Sequence, residues 1–174
     1  MSSQVWFSLL VALVGVERLA EMVVAKRNAA WSFARGGIET GRGHWPWMVL
    51  LHTGLLVGCV VEVWVADRPF IPLLGWTMLV LVVASQALRW WCIRTLGRQW
   101  NARVIVVPGS QRVTTGPYRW FSHPNYVAVV VEGFALPLVH TAWVTALVFT
   151  VLNAAVLTAR LRTESEALRL LADA

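Results

Sequence analysis

Five stretches of the chain are almost unbroken apolar runs, at about residues 4–24, 46–66, 70–93, 124–139 and 140–159. A helix needs ~20 such residues to cross ~30 Å of hydrocarbon, so the pattern predicts five transmembrane helices, the fourth of them short. Asp67-Arg68-Pro69, and Pro137 with His140, mark tight turns between runs. Proline fixes φ and removes a backbone donor, and short connections join antiparallel neighbours. Helices two and three, and four and five, are therefore expected as hairpins. The expected fold is all-α: a polytopic integral membrane protein in which residues 1–174 form one domain, with a loop at 94–123 and a short C-terminal helix at 160–172.

Composition supports the class. Of 174 residues, 57% are hydrophobic and 14% charged, which is too apolar for an ordinary soluble domain. The cations then assign sides. Lys26, Arg27, Arg35 and Arg42 follow the first run, Arg94, Arg98, Arg103, Arg112 and Arg119 follow the third, and Arg160, Arg162 and Arg169 follow the fifth. These are twelve of the fifteen lysines and arginines. Arg68 lies at the other end, and Arg18 and Arg89 fall inside runs. Basic residues collect in cytoplasmic loops, so the expected orientation has the N-terminus outside and the C-terminus in the cytoplasm. The net charge of +6 is then expected to meet anionic lipid headgroups rather than nucleic acid. The first run has no basic leader and carries Glu17, Arg18 and Glu21 in place of a small-residue cleavage site, so it reads as a mature helix.

Cys59 and Cys92 fall in different runs near opposite ends, which argues against a disulfide or a metal pair. His44, His52, His123 and His140 show no ligand spacing, so no metal is expected. His44 and His52 read as interfacial or interhelical hydrogen-bonding groups, with a place in a site as the alternative. Neither a phosphate-binding glycine loop nor a nucleophile elbow is present. Polar and aromatic side chains gather instead between Thr115 and Tyr126. Pro117 and Pro124 fix two φ angles and bias the preceding residues away from helix, so Tyr118 and His123 are expected on a shaped loop feeding a helix that starts near Pro124. Arg160 and Glu164, four apart, share a helix face; the spacing alone reads as an exposed ion pair at a helix end, and the upstream motif turns it toward a functional role. Arg162 and Glu166 repeat it about half a turn away, toward solvent. Glu132 lies two turns into the fourth run, where an ionisable group is costly and is either functional or paired; the candidate partners are Arg89 and Arg18.

Gly116-Pro117-Tyr118, Ser122-His123-Pro124-Asn125-Tyr126 and Arg160-Leu161-Arg162-Thr163-Glu164, spaced by two apolar runs, resemble the isoprenylcysteine carboxyl methyltransferase family from Leu96 to Leu171. Ser122 replaces the usual arginine before the histidine, and Ser165 the second acid of a Glu-Glu pair, for which Glu166 is the candidate substitute. The resemblance implies an S-adenosylmethionine-dependent O-methyltransferase with a cytoplasmic cofactor and a lipophilic acceptor from the bilayer. It assigns cofactor contacts to Ser110, Gln111, Arg112, Val113, Tyr118, His123, Pro124, Asn125, Tyr126 and Glu164, and the acceptor's carboxylate to Arg160. Tyr118 and Tyr126 would offer ring faces to the adenosine or the sulfonium, and His123 is expected to donate a hydrogen bond to the cofactor. Glu17-Arg18-Leu19-Ala20-Glu21, Lys26-Arg27-Asn28 and Gly43-His44-Trp45-Pro46-Trp47-Met48 resemble bacterial members, some of which methylate long-chain resorcinols or pyrones. The acceptor is thus expected to be an isoprenylcysteine-type carboxylate or a long-chain phenolic or pyrone lipid. A phenol or enol loses a proton during attack whereas a carboxylate does not, and Glu132 is the candidate base. A transporter would place polar pairs near the midplane in broken, repeated helices, and a non-catalytic assembly protein would not need the cluster from Thr115 to Tyr126; both are the alternatives to the enzyme reading.

Overall fold

The computed structural model describes residues 2–172 apart from 42, 44 and 112, with side chains through residue 164. Five α-helices run α1 (Ser3–Phe33), α2 (Trp45–Val65), α3 (Pro72–Leu96), α4 (Pro124–Leu138) and α5 (Trp143–Ala172). Pro72 and Pro124 stand at the first turns of α3 and α4, where a missing N–H costs nothing and the fixed φ suits a helix. Ile71, Pro69 and Asp67 complete the α2–α3 turn, whose backbone carbonyl at Pro69 accepts the Thr141 hydroxyl at 2.6 Å. That bond ties the two hairpin turns together at one end of the bundle. His140 closes the same end, fully buried among the rings of Trp6, Phe7 and Phe70.

At the other end, the loops after α1 and α3 pair as a two-stranded antiparallel sheet. β1 (Ile38–Thr40) lies against β2 (Val104–Val106), with Ile38 opposite Val106. The fold is mostly helical, as expected, and this small sheet is an addition to it. Three-residue strands give no periodicity, and their pairing spans more than sixty positions. A correction concerns the C-terminus. α5 runs without a break from Trp143 to Ala172, because no glycine or proline interrupts it, so the short separate helix at 160–172 is its last turns. The turn before α5 also takes residues 139–142 out of the fifth run, with Thr141 at a positive φ of 54°.

Among the described residues, three helices are long and apolar enough to cross a membrane: α2, α3 with its following turn (Pro72–Gln99), and α5 through Glu164. The protein is therefore an integral membrane protein. α4 has 15 residues, and the 31-residue α1 carries Glu17, Arg18 and Glu21 at its middle, so neither matches the simple span the hydrophobic pattern predicts. Polarity is inverted relative to a soluble fold. Leu13, Leu19, Val65, Leu73, Val80 and Leu147 are exposed, whereas Glu21, Arg89, Glu132 and Asn153 are buried. α4 is the central element, packed on α3 and α5. Gly133 permits the second contact, since a Cβ there would sit 1.9 Å from Phe149 Cε1.

Candidate active site

Two groups of polar side chains flank one cavity. The first forms where the loop enters α4 and meets the last turns of α5. The Tyr126 hydroxyl donates to Glu164 Oε2 at 2.6 Å and accepts from Arg160 Nε at 2.9 Å. His123, just before α4, stacks on the Tyr126 ring at a centroid distance of 5.3 Å, and its Nδ1 lies 3.9 Å from Glu164 Oε1. The Arg160 guanidinium sits 5.5 Å over the same ring and 2.8 Å from Met48 Sδ on α2. The i, i+4 spacing of Arg160 and Glu164 thus converges on one tyrosine from a neighbouring helix, rather than closing an ion pair within α5.

Tyr118 approaches from the turn Gly116–Arg119. Gly116 holds a φ of +56°, and a Cβ there would lie 2.6 Å from Thr95 Oγ1 on α3, so only glycine lets this turn press onto the helix. Burial, Cys92 and then the Glu164 carboxylate push the Tyr118 phenol well above its ordinary value. It is a neutral hydrogen-bonding group there, since the anion would be desolvated beside another negative charge.

The second group is buried between α1, α3 and α4. Glu132 accepts from Arg89 Nη2 at 2.6 Å and lies 3.5 Å from Arg18 Nη2. Arg18 also reaches Glu21 at 2.8 Å and Gln86 at 2.7 Å, while Gln86 and Trp90 both donate to Glu17. Arg89 Nε and Glu21 Oε1 stand 3.6 Å apart, and each lacks a hydrogen-bond partner. Three carboxylates therefore share two guanidiniums. Of the two readings of Glu132, this geometry is that of the ion pair: the carboxylate faces arginines, and it is not part of the cavity wall.

The cavity itself has a volume of about 280 Å³. Tyr126, Asn125 and Arg160 stand at its head, and Glu21, Arg18 and Arg89 form one wall. His52, Asn153, Leu56 and Val129 line it as well. Leu19, Met22 and Val49 also line it, and all three are exposed on the apolar outer surface. The cavity therefore reaches that surface between α1 and α2. Trp100, Asn101 and Ala102 cover it at the loop end, fixed by Asn28 Nδ2, which donates to the carbonyls of Gly97 at 3.1 Å and Trp100 at 2.7 Å.

The structure brings together His123, Tyr126, Arg160 and Glu164, with Tyr118 beside them. Pro124 is buried in the first turn of α4, and Asn125 lines the cavity with its Oδ1 buried and unpartnered. Ser110 and Gln111 are exposed on the loop after β2, and the Ser110 hydroxyl turns back to the Val107 carbonyl at 2.7 Å. Val113 is half-buried. Among the described residues, no hydrogen bond joins this stretch to the Tyr126 cluster; Arg112 lies outside the described residues. The Tyr126 ring, expected to be a free face, already carries His123 and Arg160. His52, for which a place in a site is the alternative reading of its sequence, lines the cavity, as do Met48 and Asn153, which the sequence leaves unassigned because each lies in an apolar run; the i, i+4 spacing of Met48 and His52 is the available signal.

These features define a membrane protein with a polar-headed cavity open to its apolar surface. The model of the isoprenylcysteine carboxyl methyltransferase (ICMT) family matches residues 78–170, from α3 through the Tyr126 cluster to α5. The uncharacterized protein YpbQ of Bacillus subtilis (strain 168) is 37% identical over 164 residues, covering 94% of this chain and 96% of that protein. No solved structure matches the chain. The chain belongs to the isoprenylcysteine carboxyl methyltransferase family, and family and apolar helices together mark it as a membrane methyltransferase.

Proposed function

We propose that the protein is an S-adenosylmethionine-dependent O-methyltransferase whose acceptor is a lipophilic molecule entering from the bilayer. All 174 residues would act as one unit crossing the membrane five times, with the N-terminus outside and the C-terminus in the cytoplasm of a bacterium. The carrying observation is the cavity, which joins the Tyr126–Arg160 head to the apolar surface at Leu19, Met22 and Val49. A water-soluble donor and an oily acceptor require such a two-sided site.

The residues at the head fit the donor. Glu164 offers a carboxylate for its amino or ribose hydroxyl groups, the unpartnered Asn125 Oδ1 needs a donor, and Tyr118 has no ring or cation partner among the described residues. Tyr118, His123, Asn125 and Glu164 would hold it, and it would supply a methyl group already activated by the sulfonium. What remains for the chain is positioning. Tyr126 holds Arg160 and Glu164 in register, so that α4 and α5 present one surface to both reactants. Arg160, at the cavity head, orients the acceptor's polar end. The sulfonium is a cation, and an aromatic and carboxylate setting suits it.

Calorimetric titration of the purified protein in lipid nanodiscs with S-adenosylmethionine tests the reading. Saturable one-to-one binding is the expected result, and its absence in folded protein removes the proposal. Incubation of membranes with labelled cofactor, followed by mass identification of the labelled lipid, then reads the acceptor class.

A further inference from the structure

We propose that the end of α3 and the turn docked on it bind the headgroup of an anionic phospholipid. Arg94, Arg98 and Arg119 hold its phosphate, and its chains lie against Trp91, Trp120 and Phe121. From Arg68 to Val131 the chain carries seven arginines and no acidic residue. Arg68, Arg89 and Arg103 find carboxylates outside that stretch, at Glu62, Glu132 and Glu39. Arg94, Arg98 and Arg119 are exposed and, among the described residues, have no ion-pair or hydrogen-bond partner. The counter-charge for these three has to come from outside the chain.

The turn Gly116–Arg119 is fixed to α3 at two points. Gly116 presses on Thr95, where a Cβ would lie 2.6 Å from Oγ1, and the Trp120 ring meets Trp91 edge-on at 5.9 Å. Trp91 and Arg94, three apart, share a face of α3, Arg119 precedes Trp120, and Arg98 lies in the turn Gly97–Gln99 that closes the helix. Docking therefore gathers cations from two elements at one place. Its depth is set by the span Pro72–Gln99: Arg94 and Arg98 stand in the last turns, where hydrocarbon gives way to headgroups and aromatic rings are favoured. Trp91, Trp120 and Phe121 are all exposed there. A free anion answers the arginines and leaves the rings in water, whereas a lipid answers both. Clustered cations at a membrane surface attract anionic lipid by about fivefold each.

None of these residues lines the cavity, so this lipid is a positioning ligand and not the molecule that is methylated. The same turn carries Tyr118 and leads into His123. A phosphate shared by Arg94 on α3 and Arg119 on the turn clamps the two together and, resting on the methyltransferase reading, keeps Tyr118 and His123 in place for the donor.

Spin-labelled phosphatidylglycerol and phosphatidylcholine, added separately to phosphatidylcholine bilayers containing the protein, read which lipid the spans immobilise. Wild type is expected to prefer phosphatidylglycerol, and the double variant Arg94→Gln, Arg119→Gln to lose about fivefold or more of that preference. Lys26→Gln with Arg27→Gln removes the same charge from exposed positions on α1 and is expected to keep it. Equal losses in the two double variants mean a diffuse basic belt and overturn the site. Displacement of the labelled lipid by inorganic phosphate at constant ionic strength overturns the lipid as occupant. Calorimetric titration with S-adenosylmethionine, in nanodiscs with and without phosphatidylglycerol, reads the clamp. Wild type is expected to bind about tenfold more tightly with the anionic lipid, and the Arg94, Arg119 variant equally in both discs. Equal affinity for wild type, with its lipid preference intact, overturns the clamp on Tyr118. Absence of cofactor binding in both discs removes the methyltransferase reading, and the bilayer measurement then decides the lipid site by itself.

Discussion

The two polar clusters use the same chemistry at different depths. Around Tyr126, an arginine and a glutamate are partly exposed and meet through a neutral hydroxyl. Around Glu132, arginines and carboxylates touch directly, with Arg89 and Glu132 almost wholly buried. The first arrangement leaves hydrogen-bonding capacity for a ligand; the second spends most of it internally. Spacing in the sequence does not separate these roles, but depth does.

Breaking the buried cluster should have the largest effect. Glu132→Ala takes from the buried Arg89 the carboxylate to which it donates at 2.6 Å, which is expected to cost about 3–5 kcal/mol and to appear as a collapse of the thermal transition in detergent. Glu132→Gln keeps the shape and one acceptor, and should remain folded with cofactor affinity intact. Loss of turnover in that variant, with structure and affinity preserved, would restore Glu132 as a base. At the head, Glu164→Gln removes a charged acceptor worth about 1.5–3 kcal/mol. It should weaken S-adenosylmethionine binding roughly 10- to 150-fold with little change in melting temperature. An equal fall in stability would make the two clusters alike. Gly133→Ala drives a methyl into Phe149, costing about 1–3 kcal/mol and shifting α4 against α5, so stability and cofactor affinity should fall together. Arg68, 2.8 Å from Glu62 at the far end and partly exposed, serves as control. Arg68→Ala should cost less than about 1 kcal/mol and leave binding unchanged.

Much of the helical frame is legible in the residues. Pro124 at the start of α4 and the turn near Asp67 follow from local chemistry, because proline acts on its own φ and its neighbour's. Non-local features are not legible in that way. The β1–β2 pairing depends on two loops meeting, and the ends of α1 and α3 extend past their apolar runs because Asn28 and the loop carbonyls satisfy each other. At the site, the convergence of His123, Tyr126, Arg160 and Glu164 could be anticipated from motif spacing. The cavity wall is legible only in part: a place in a site is one of two readings of His52, but Asn153 is a polar position in an apolar run, and only packing tells which side of the helix meets a void.

The unbroken α5 has a mechanical consequence. Asn153 and Val156 on the cavity and Glu164 beyond its head are carried on one rod, with 1.5 Å of rise per residue between them. Distance and angle between the places of oily and aqueous reactants are therefore metered by a count of residues. Inserting a single alanine between Leu157 and Arg160 would twist one half by about 100° against the other, leaving every contact chemistry in place but none of it aligned.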